Sequence, residues 1–263
     1  MTSKAPPHAV TCDRETLYFV SDVHLGGSPP DEEGPKRARL HELLDRVEAD
    51  RAALVILGDL FDFWFEYRTV IPRTAFSLLA RLDGMARAGT PVLYLGGNHD
   101  FWMTDFLARE TALAVLADGT VLRAQERRLY LAHGDGRGPG DRGYKVLKAV
   151  LRNPLAIRMF RWIHPDLGIR LALGSSHASR EATGGHGVDV EALFREVGLP
   201  ELRGDVDAFL MGHHHVPVHL KRPEGEFLIL GDWFRRFTYG RLREGRLELL
   251  EWDSDRILGE SLD

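Results

Sequence analysis

The sequence has one cysteine, no long hydrophobic run and no excess of positive charge. Cys12 is the only cysteine among 263 residues, so no intrachain disulfide can form, which is typical of a reducing compartment. No stretch reaches the roughly 18 consecutive apolar residues of a transmembrane helix, and the N-terminus has no apolar signal core. We therefore expect a cytoplasmic protein that does not cross the membrane. Peripheral contact with the inner face of the cytoplasmic membrane stays open.

The charge balance and the length narrow the class of protein further. A formal net charge of -5 argues against a general nucleic-acid binder. With 44% hydrophobic and 28% charged residues, the composition is that of an ordinary globular protein. The length suffices for an α/β domain with a sizeable core, and we expect residues 1–263 to form one domain. Nothing in the sequence indicates a protein partner.

Apolar runs and helical patterns predict a succession of strand–helix units after a loose lead-in from Met1 to Thr11. The main predicted strands are Thr16–Ser21, Ala53–Leu57, Val92–Leu95, Leu129–Ala132 and Ala208–Met211. The predicted helices are Lys36–Ala49, Arg73–Ala88, Thr104–Glu110 and Val190–Val197.

Each of these five strands is followed at once by carboxylate, amide or imidazole side chains. The five groups are Asp22 and His24; Asp59; Asn98, His99 and Asp100; His133 and Asp135; and His213, His214 and His215. A charged group at the tip of a buried strand is costly unless something compensates it. Five such groups in one chain predict a shared metal site, with Asp59 at its centre.

The spacing of these groups reveals an insertion. Steps of 37, 39 and 35 residues lead from Asp22 to His133, each about the length of one strand–helix unit. The next step, from His133 to His213, is 80 residues, so about 40 residues are additional by the length of such a unit. We place this insertion between Asp141 and Gly187 and predict that 143–173 is helical.

The residue types suit two divalent metal ions about 3.5–4 Å apart, which need a shared anionic ligand and a mixed oxygen and nitrogen shell. Asp59 is the natural bridge. Asp22, His24 and one imidazole of the last group would complete one ion. Asn98, His133 and the other imidazole would complete the second. Such a pair lowers the pKa of a bound water and clamps a phosphoryl group.

The remaining histidines divide into ligands, a bystander and a catalytic candidate. His213 and His215 alternate on an extended chain, so they would point the same way and His214 would point away. His99 directly follows an amide ligand. It is a candidate to steady charge in the transition state or to protonate the leaving oxygen, with Asp100 orienting its ring.

The motifs Asp-x-His, Gly-Asp, Gly-Asn-His-Asp, His-Gly-Asp and Gly-His-x-His, in this order, resemble those of the calcineurin-like metallophosphoesterase superfamily. They run from Asp22 to His215, most of the chain. The resemblance implies an α/β sandwich of two mixed β-sheets flanked by helices, with two divalent ions that are often manganese, iron or zinc. It also implies that His99 is catalytic. The implied metal ligands are Asp22, His24, Asp59, Asn98, His133, His213 and His215.

Three further features resemble the UDP-2,3-diacylglucosamine pyrophosphatases of the lipid A pathway. They are the strings Ser21–Gly26 and Gly58–Trp64, and the insertion segments at 143–145, 152–154 and 179–182. This resemblance implies hydrolysis of a UDP-linked acylated sugar lipid at the α-phosphorus, which releases UMP and the acylated sugar 1-phosphate. It also implies manganese ions and a helical lid over the acyl chains.

The chain departs from familiar members of that family in two places. His99 stands where they have arginine, and of a Ser…Asn…Lys set in the lid only Ser179 is kept, with Thr183 and His186 at the other places. The implied substrate-binding residues are Asn98, Asp141, Tyr144, Ser179, Arg180, Thr183 and His186.

The insertion differs in composition from the acidic chain around it. Between Arg142 and Arg180 there are eight basic residues and one acid, Asp166, interleaved with large apolar side chains. This pattern suits an anionic lipid or a membrane surface. The alternative is a helical hairpin that buries its apolar side on the core. Likewise, the aromatic run just past Asp59 either walls an acyl groove or packs in the core; it comprises Phe61, Phe63, Trp64, Phe65 and Tyr67.

Two rival functions remain. A nuclease or cyclic-nucleotide phosphodiesterase of the same superfamily would share the string Gly58–Asp62, although the net negative charge argues against nucleic acid. A non-catalytic module could use the metal pair only as a scaffold for partner binding. Against this second rival, every ligand position is occupied and His99 is present.

Overall fold

The apolar runs form the strands of two mixed β-sheets that pack face to face. The computed structural model describes residues 8–137, 148–183 and 188–259, with the backbone alone for 175–183. The strands are β1 Ala9–Thr11, β2 Thr16–Val20, β3 Ala53–Leu57, β4 Val92–Leu95, β5 Ala114–Leu116, β6 Thr120–Ala124, β7 Arg127–Leu131, β8 Ala208–Met211, β9 Pro217–Arg222, β10 Gly225–Leu230, β11 Thr238–Arg243, β12 Arg246–Glu251 and β13 Arg256–Ile257.

Helices cover both sheets and form the insertion. They are α1 Pro30–Ala49, α2 Phe76–Arg87, α3 Phe106–Glu110, α4 Pro154–Phe160, α5 Pro165–Thr183, α6 Val190–Leu193 and α7 Leu199–Leu202. A 3₁₀ turn, Arg73–Ala75, precedes α2, and a π-helical turn, Phe194–Gly198, joins α6 to α7.

The sheet topology brings the polar groups to one edge. The seven-stranded sheet has the order β13-β12-β11-β2-β3-β4-β5, and the six-stranded sheet has the order β1-β6-β7-β8-β10-β9. Strands β2, β3 and β4 run parallel to one another, and β7 runs parallel to β8. Because the carboxyl ends of parallel strands lie at the same edge, the side chains that follow them come close together.

Alternation along the strands builds the layers. In β2, Leu17 and Phe19 belong to the core between the sheets, whereas Tyr18 and Val20 pack with α1 and α2 on the outer face. The turn around Phe194 covers the outer face of the six-stranded sheet together with α6 and α7. The expected α/β sandwich of two mixed sheets flanked by helices is confirmed.

Several predicted elements have the predicted bounds, including β3, β4 and β8. The loose lead-in is wrong at its end, because β1 pairs in parallel with β6 and places Val10 opposite Leu122. The short edge strands β5 and β13 were also not predicted, since three or two residues carry no readable alternation.

The first helix begins earlier than predicted, at Pro30 rather than Lys36. Proline is tolerated in a first helical turn, where its missing N–H has no partner to lose, and three acidic residues there suit the positive end of the helix dipole. Pro35 lies inside this helix, although we expected the helix to begin just after it, at Lys36.

The insertion is helical where the structure describes it. Residues 148–151 are helical and are followed by α4 and α5. The predicted limits, Asp141 and Gly187, lie outside the described residues. Within the described ranges, no helix has the length and apolar character needed to cross a membrane.

Candidate metal centre

Backbone strain marks the edge where the polar groups meet. Five of the predicted ligands have φ between 49° and 71°, namely Asp22, His24, Asp59, His213 and His215. A non-glycine residue in this left-handed region costs about 1–3 kcal/mol, so it persists only where its surroundings impose it. The fold therefore gives up stability to aim these side chains into one small volume.

Gly58 allows two of the ligand loops to approach each other. Its φ is 89°, and a Cβ atom there would lie 2.5 Å from Nδ1 of His133 and 2.7 Å from the backbone nitrogen of Gly97. Any larger residue would push these loops apart, which explains the glycine directly before Asp59.

Asp22, His24 and His215 form one cluster of ligand atoms. Nε2 of His215 lies 3.2 Å from Oδ1 of Asp22 and 3.3 Å from Nε2 of His24. Nδ1 of His24 donates to Oδ1 of Asp62 at 3.2 Å, which leaves Nε2 turned toward the cluster. Asp22 is fully buried, so its charge requires compensation here.

Asp59, His133 and His213 form a second cluster. Nε2 of His133 lies 3.3 Å from Oδ2 of Asp59. Asn98 joins them, because its Oδ1 lies 3.0 Å from Nε2 of His133 and 2.8 Å from Nδ1 of His213. Oδ2 of Asp59 also lies 3.7 Å from Nε2 of His24, so this carboxylate stands between the two clusters. We call the seven residues of both clusters the metal edge.

The hydrogen bonds of His133 test whether a metal fits. Its Nδ1 donates to the carbonyl of Leu57 at 2.8 Å, so in the neutral ring Nε2 carries only a lone pair. That lone pair faces two oxygen acceptors, those of Asn98 and Asp59. Burial would lower the pKa of His133, but the charge of Asp59 raises it well above its ordinary value, so these acceptors attract either a proton on Nε2 or a bound cation. A mixed set of imidazole, amide and carboxylate ligands suits a divalent metal ion.

The electrostatics of the metal edge agree with this fit. Burial would raise the pKa of Asp59, but the neighbouring His133 and His99 hold it far below its ordinary value. Burial would lower the pKa of His24, yet hydrogen bonds with Asp22 and Asp62 raise it to about 9. In both cases the buried carboxylates favour positive charge beside them, and bound metal ions would supply that charge.

His99 lies beside the metal edge and keeps one nitrogen turned toward it. Nδ1 donates to the carbonyl of Asp62 at 2.8 Å, and Nε2 lies 4.0 Å from Oδ2 of Asp59. Its ring meets that of His24 edge to face, with 4.6 Å between the centroids. The side chain is 17% exposed, so it is open to a ligand bound at the metal edge.

The prediction that Asp100 orients the ring of His99 is wrong, because Asp62 holds that ring. The fully buried Asp100 carboxylate accepts four hydrogen bonds of 2.5–3.1 Å, from the N–H groups of Asp59, Leu60 and Gly97 and the hydroxyl of Tyr94. Burial and the charge of Asp59 raise its pKa. Asp100 therefore fixes the loop that carries Asp59.

Asp62 is a site residue that the sequence analysis overlooked. It is 1% exposed, its carboxylate holds His24, and its carbonyl holds His99. The signal was present in the string Gly58–Asp62, where a second carboxylate follows Asp59 within an otherwise apolar stretch.

His213 and His215 reach the metal edge by a different route from the one predicted. The chain at 212–215 is not extended, and both residues have positive φ. The bend sends His213 to the Asp59 cluster and His215 to the Asp22 cluster. There His215 contacts His24, from which it is separated by 191 residues in the sequence. His214 belongs to neither cluster.

The predicted lid contacts cannot be placed against the site. Asp141, Tyr144 and His186 lie outside the described residues. Ser179, Arg180 and Thr183 lie on the last turns of α5, where the structure describes the backbone alone. Their assignment as substrate-binding residues stays a prediction.

The aromatic run is buried from Phe61 to Phe65, as core packing requires, and its role in walling an acyl groove stays a prediction. Phe61 and Trp64 belong to the core under α1 and α2. Phe65 instead meets Phe160 of α4 at a centroid distance of 4.7 Å, and Trp102 stacks on the same ring at 5.9 Å. Phe63 completes this layer, 6.1 Å from Phe160. The aromatic layer thus joins the sandwich to the insertion.

Comparison with known proteins gives a matching family model and relatives that match nearly the whole chain. The sequence model of the calcineurin-like phosphoesterases matches residues 16–217, which include every residue of the metal edge. A protein of Porphyromonas gingivalis named UDP-2,3-diacylglucosamine hydrolase is 31% identical over 95% of this chain and 98% of its own length. A protein of the same name from Ralstonia nicotianae is 32% identical over 88% of this chain and 90% of its own length.

Solved structures show a more distant likeness. The phosphoesterase Yfce from E. coli covers 92% of this chain with a TM-score of 0.47 and 20% identity. At that level the likeness says nothing about substrate.

Proposed function

The chain belongs to the calcineurin-like phosphoesterase family, and we propose that it hydrolyses UDP-2,3-diacylglucosamine to UMP and 2,3-diacylglucosamine 1-phosphate in lipid A biosynthesis. The observation that carries this proposal is an apolar, basic insertion that contacts the two loops carrying His133 and Asn98. The two relatives named above support it, because each is called a hydrolase of this substrate and each matches nearly the whole chain.

Two divalent metal ions fit the metal edge, and we propose manganese as the ion at both positions. Asp22, His24 and His215 would hold one ion, and Asn98, His133 and His213 the other. Asp59 would contact both, as its position between the clusters suggests. Bound there, the ions would activate a water molecule and stabilise negative charge on the phosphoryl oxygens.

The protein's own groups would act on the leaving oxygen. His99 uses Nδ1 to bind the carbonyl of Asp62, and its Nε2 lies at the metal edge, 4.0 Å from Oδ2 of Asp59. We propose that this atom carries the proton that the departing sugar phosphate requires, or in its charged form steadies the transition state. The main-chain carbonyl of Asp62 holds the His99 ring for either role. The carboxylate of the same residue holds the ligand imidazole of His24.

The surface of the insertion supports a lipid substrate. Leu155, Met159 and Trp162 are 66%, 65% and 82% exposed and are spaced four and three residues apart, so they share one face. Leu167 and Leu171 of α5 are also more than half exposed. Such large exposed apolar side chains mark a binding surface for apolar ligands.

We propose that this face receives the acyl chains and contacts the inner face of the cytoplasmic membrane, from which the substrate would be taken. Arg158, Arg161 and Arg170 lie among the apolar residues and would favour anionic lipid head groups. The proposal involves neither nucleic acid nor a protein partner.

The decisive experiment follows UMP release by the purified, manganese-loaded protein. UMP release from UDP-2,3-diacylglucosamine is compared with that from UDP-N-acetylglucosamine, which lacks the long acyl chains. Release of AMP from cyclic AMP and cleavage of a DNA fragment are measured alongside. Fast turnover of the lipid alone is expected. Equal or absent turnover of both UDP sugars would overturn the lipid assignment, and faster turnover of the nucleotides would favour the phosphodiesterase alternative.

A further inference from the structure

The first described turn of the insertion, 148–152, contacts the loop that carries His133. Nζ of Lys148 donates to the carbonyl of Asp135 at 2.8 Å and to its carboxylate at 2.6 Å. Arg152, four residues later, has a guanidinium nitrogen 3.6 Å from the same carboxylate. Residues four apart in a helical turn lie on one face, so both cations can pair with the carboxylate of Asp135.

The same turn also contacts the loop that carries His99. The indole nitrogen of Trp102 donates to the carbonyl of Leu151 at 3.1 Å. The guanidinium of Arg152 lies 4.9 Å from the ring centre of Phe101, within range of a cation–π contact. A single turn of the insertion is therefore fastened to both loops that follow the metal ligands of β4 and β7.

Asp135 is the centre of these contacts and has no place among the ligands. It is 3% exposed, and it does not belong to either cluster of ligand atoms. A buried carboxylate requires paired charge, and Lys148 and Arg152 provide it from the insertion. The acid that ends the His-Gly-Asp motif thus faces the insertion rather than the metal edge.

The fastened turn leads directly into the exposed apolar face. Asn153 caps α4 by accepting from the N–H of Leu155 at 2.8 Å, so α4 begins immediately after Arg152. Gly168 then brings α5 close to α4, because a Cβ there would lie 3.1 Å from the Phe160 ring. The direction of the whole apolar face is thereby determined at the first turn.

We propose that Asp135, Lys148 and Arg152 form a clamp that holds the insertion at a set distance from the metal edge and thereby confers the preference for acylated substrates. These are positioning residues: they touch neither metal ligand atoms nor the reacting phosphorus. The inference rests on the proposed function for its substrate. In this proposal the insertion is not a freely hinged lid, because its turn at 148–152 stays attached to the sandwich.

The test compares Lys148→Met with wild type on two substrates. Binding of a remote part of a substrate is what positions its reacting group, so loss of the clamp should lower kcat/KM for UDP-2,3-diacylglucosamine by about tenfold. Hydrolysis of bis-p-nitrophenyl phosphate, which has no acyl chains, should stay within about twofold. Lys148→Arg should restore the lipid activity.

A control removes an ion pair elsewhere whose cation is about as exposed as Lys148, at 24% against 21%. Arg241→Met breaks a 2.8 Å pair with Glu248 between β11 and β12, where both side chains are 24% exposed. It should leave the ratio of the two activities unchanged. A Lys148→Met protein that loses both activities equally, or neither, would overturn the clamp.

Amide hydrogen exchange tests the clamp without any substrate. Residues 148–160 should exchange faster in Lys148→Met than in wild type, and unchanged exchange would contradict the inference. The exchange measurement distinguishes failure of the clamp from failure of the proposed function. If wild type releases no UMP from the UDP lipid, the proposed function fails, while the exchange result still decides whether the clamp exists.

Discussion

The metal edge and the insertion hold their side chains in opposite ways. At the metal edge, Asp22 and His133 are fully buried, and strand ends, strained backbone and hydrogen bonds from main-chain groups fix each ligand. In the insertion, Met159 and Trp162 are mostly exposed, and a few contacts at the first turn and in the aromatic layer attach the segment to the sandwich.

This difference separates chemistry from selection. The metal edge offers the same ligands to any phosphoester, so changes there should reduce all activities together. The insertion carries the surface that distinguishes one substrate from another, so changes there should alter the ratio of activities. Four predictions test this division, in decreasing order of expected effect.

Asp59→Ala should abolish turnover of every substrate and most of the metal binding, because it removes the carboxylate between the two clusters. Residues that merely support metal ligands typically cost 10–100-fold, so the loss should exceed about a hundredfold. Metal content by mass spectrometry and hydrolysis of bis-p-nitrophenyl phosphate measure both effects. A variant that keeps two ions and turns over would refute the bridging assignment.

Asp62→Asn should lower activity by about 10–100-fold on lipid and simple diester alike, since the Asp62 carboxylate supports the ligand imidazole of His24. The amide keeps the size of the side chain but not its charge. Metal affinity should fall in parallel. A loss confined to the lipid substrate would place Asp62 with the insertion and break the comparison.

Trp162→Ala should lower kcat/KM for the acylated substrate by about fivefold, as expected for loss of part of an apolar contact. Binding to vesicles that contain anionic lipid should weaken as well. Phe76→Ala is the matched control, because Phe76 is 68% exposed on α2, outside the insertion. If both variants behave alike, the exposed face of the insertion has no special role.

Acid should loosen the clamp, because Asp135 must be charged to pair with Lys148. Burial would raise the pKa of Asp135, but the charge of His133 and the hydrogen bond from Lys148 lower it. A depressed folded pKa means that the stabilisation is present above the unfolded value, about 3.9, and is lost as pH falls through the folded value.

Lys148→Met should remove part of that depression, so exchange in its insertion should already be fast at pH 5 and should change less with acid than in wild type. Amide exchange in 148–160 between pH 5 and 3 measures the difference. Identical pH profiles for the two proteins would show that Lys148 does not stabilise the charged form of Asp135.

Much of the site could be predicted because its residues follow buried apolar runs. Asp59 after β3 and Asn98 after β4 are examples, since a polar group at the end of a buried parallel strand points to a shared edge. The role of Asp100 could not be predicted in this way. Its partners are main-chain N–H groups of a loop about 40 residues away, and sequence patterns do not describe such contacts.

The sequence by itself determined the family, the ligand types and the existence of an insertion, because these depend on residue identity and on spacing along the chain. The tertiary structure alone decided which imidazole joins which cluster and which acid serves the insertion. His215 meets His24 across 191 positions, and Asp135 pairs with Lys148 of the insertion. Such contacts arise from packing and strained turns, whose energies depend on neighbours that are distant in sequence.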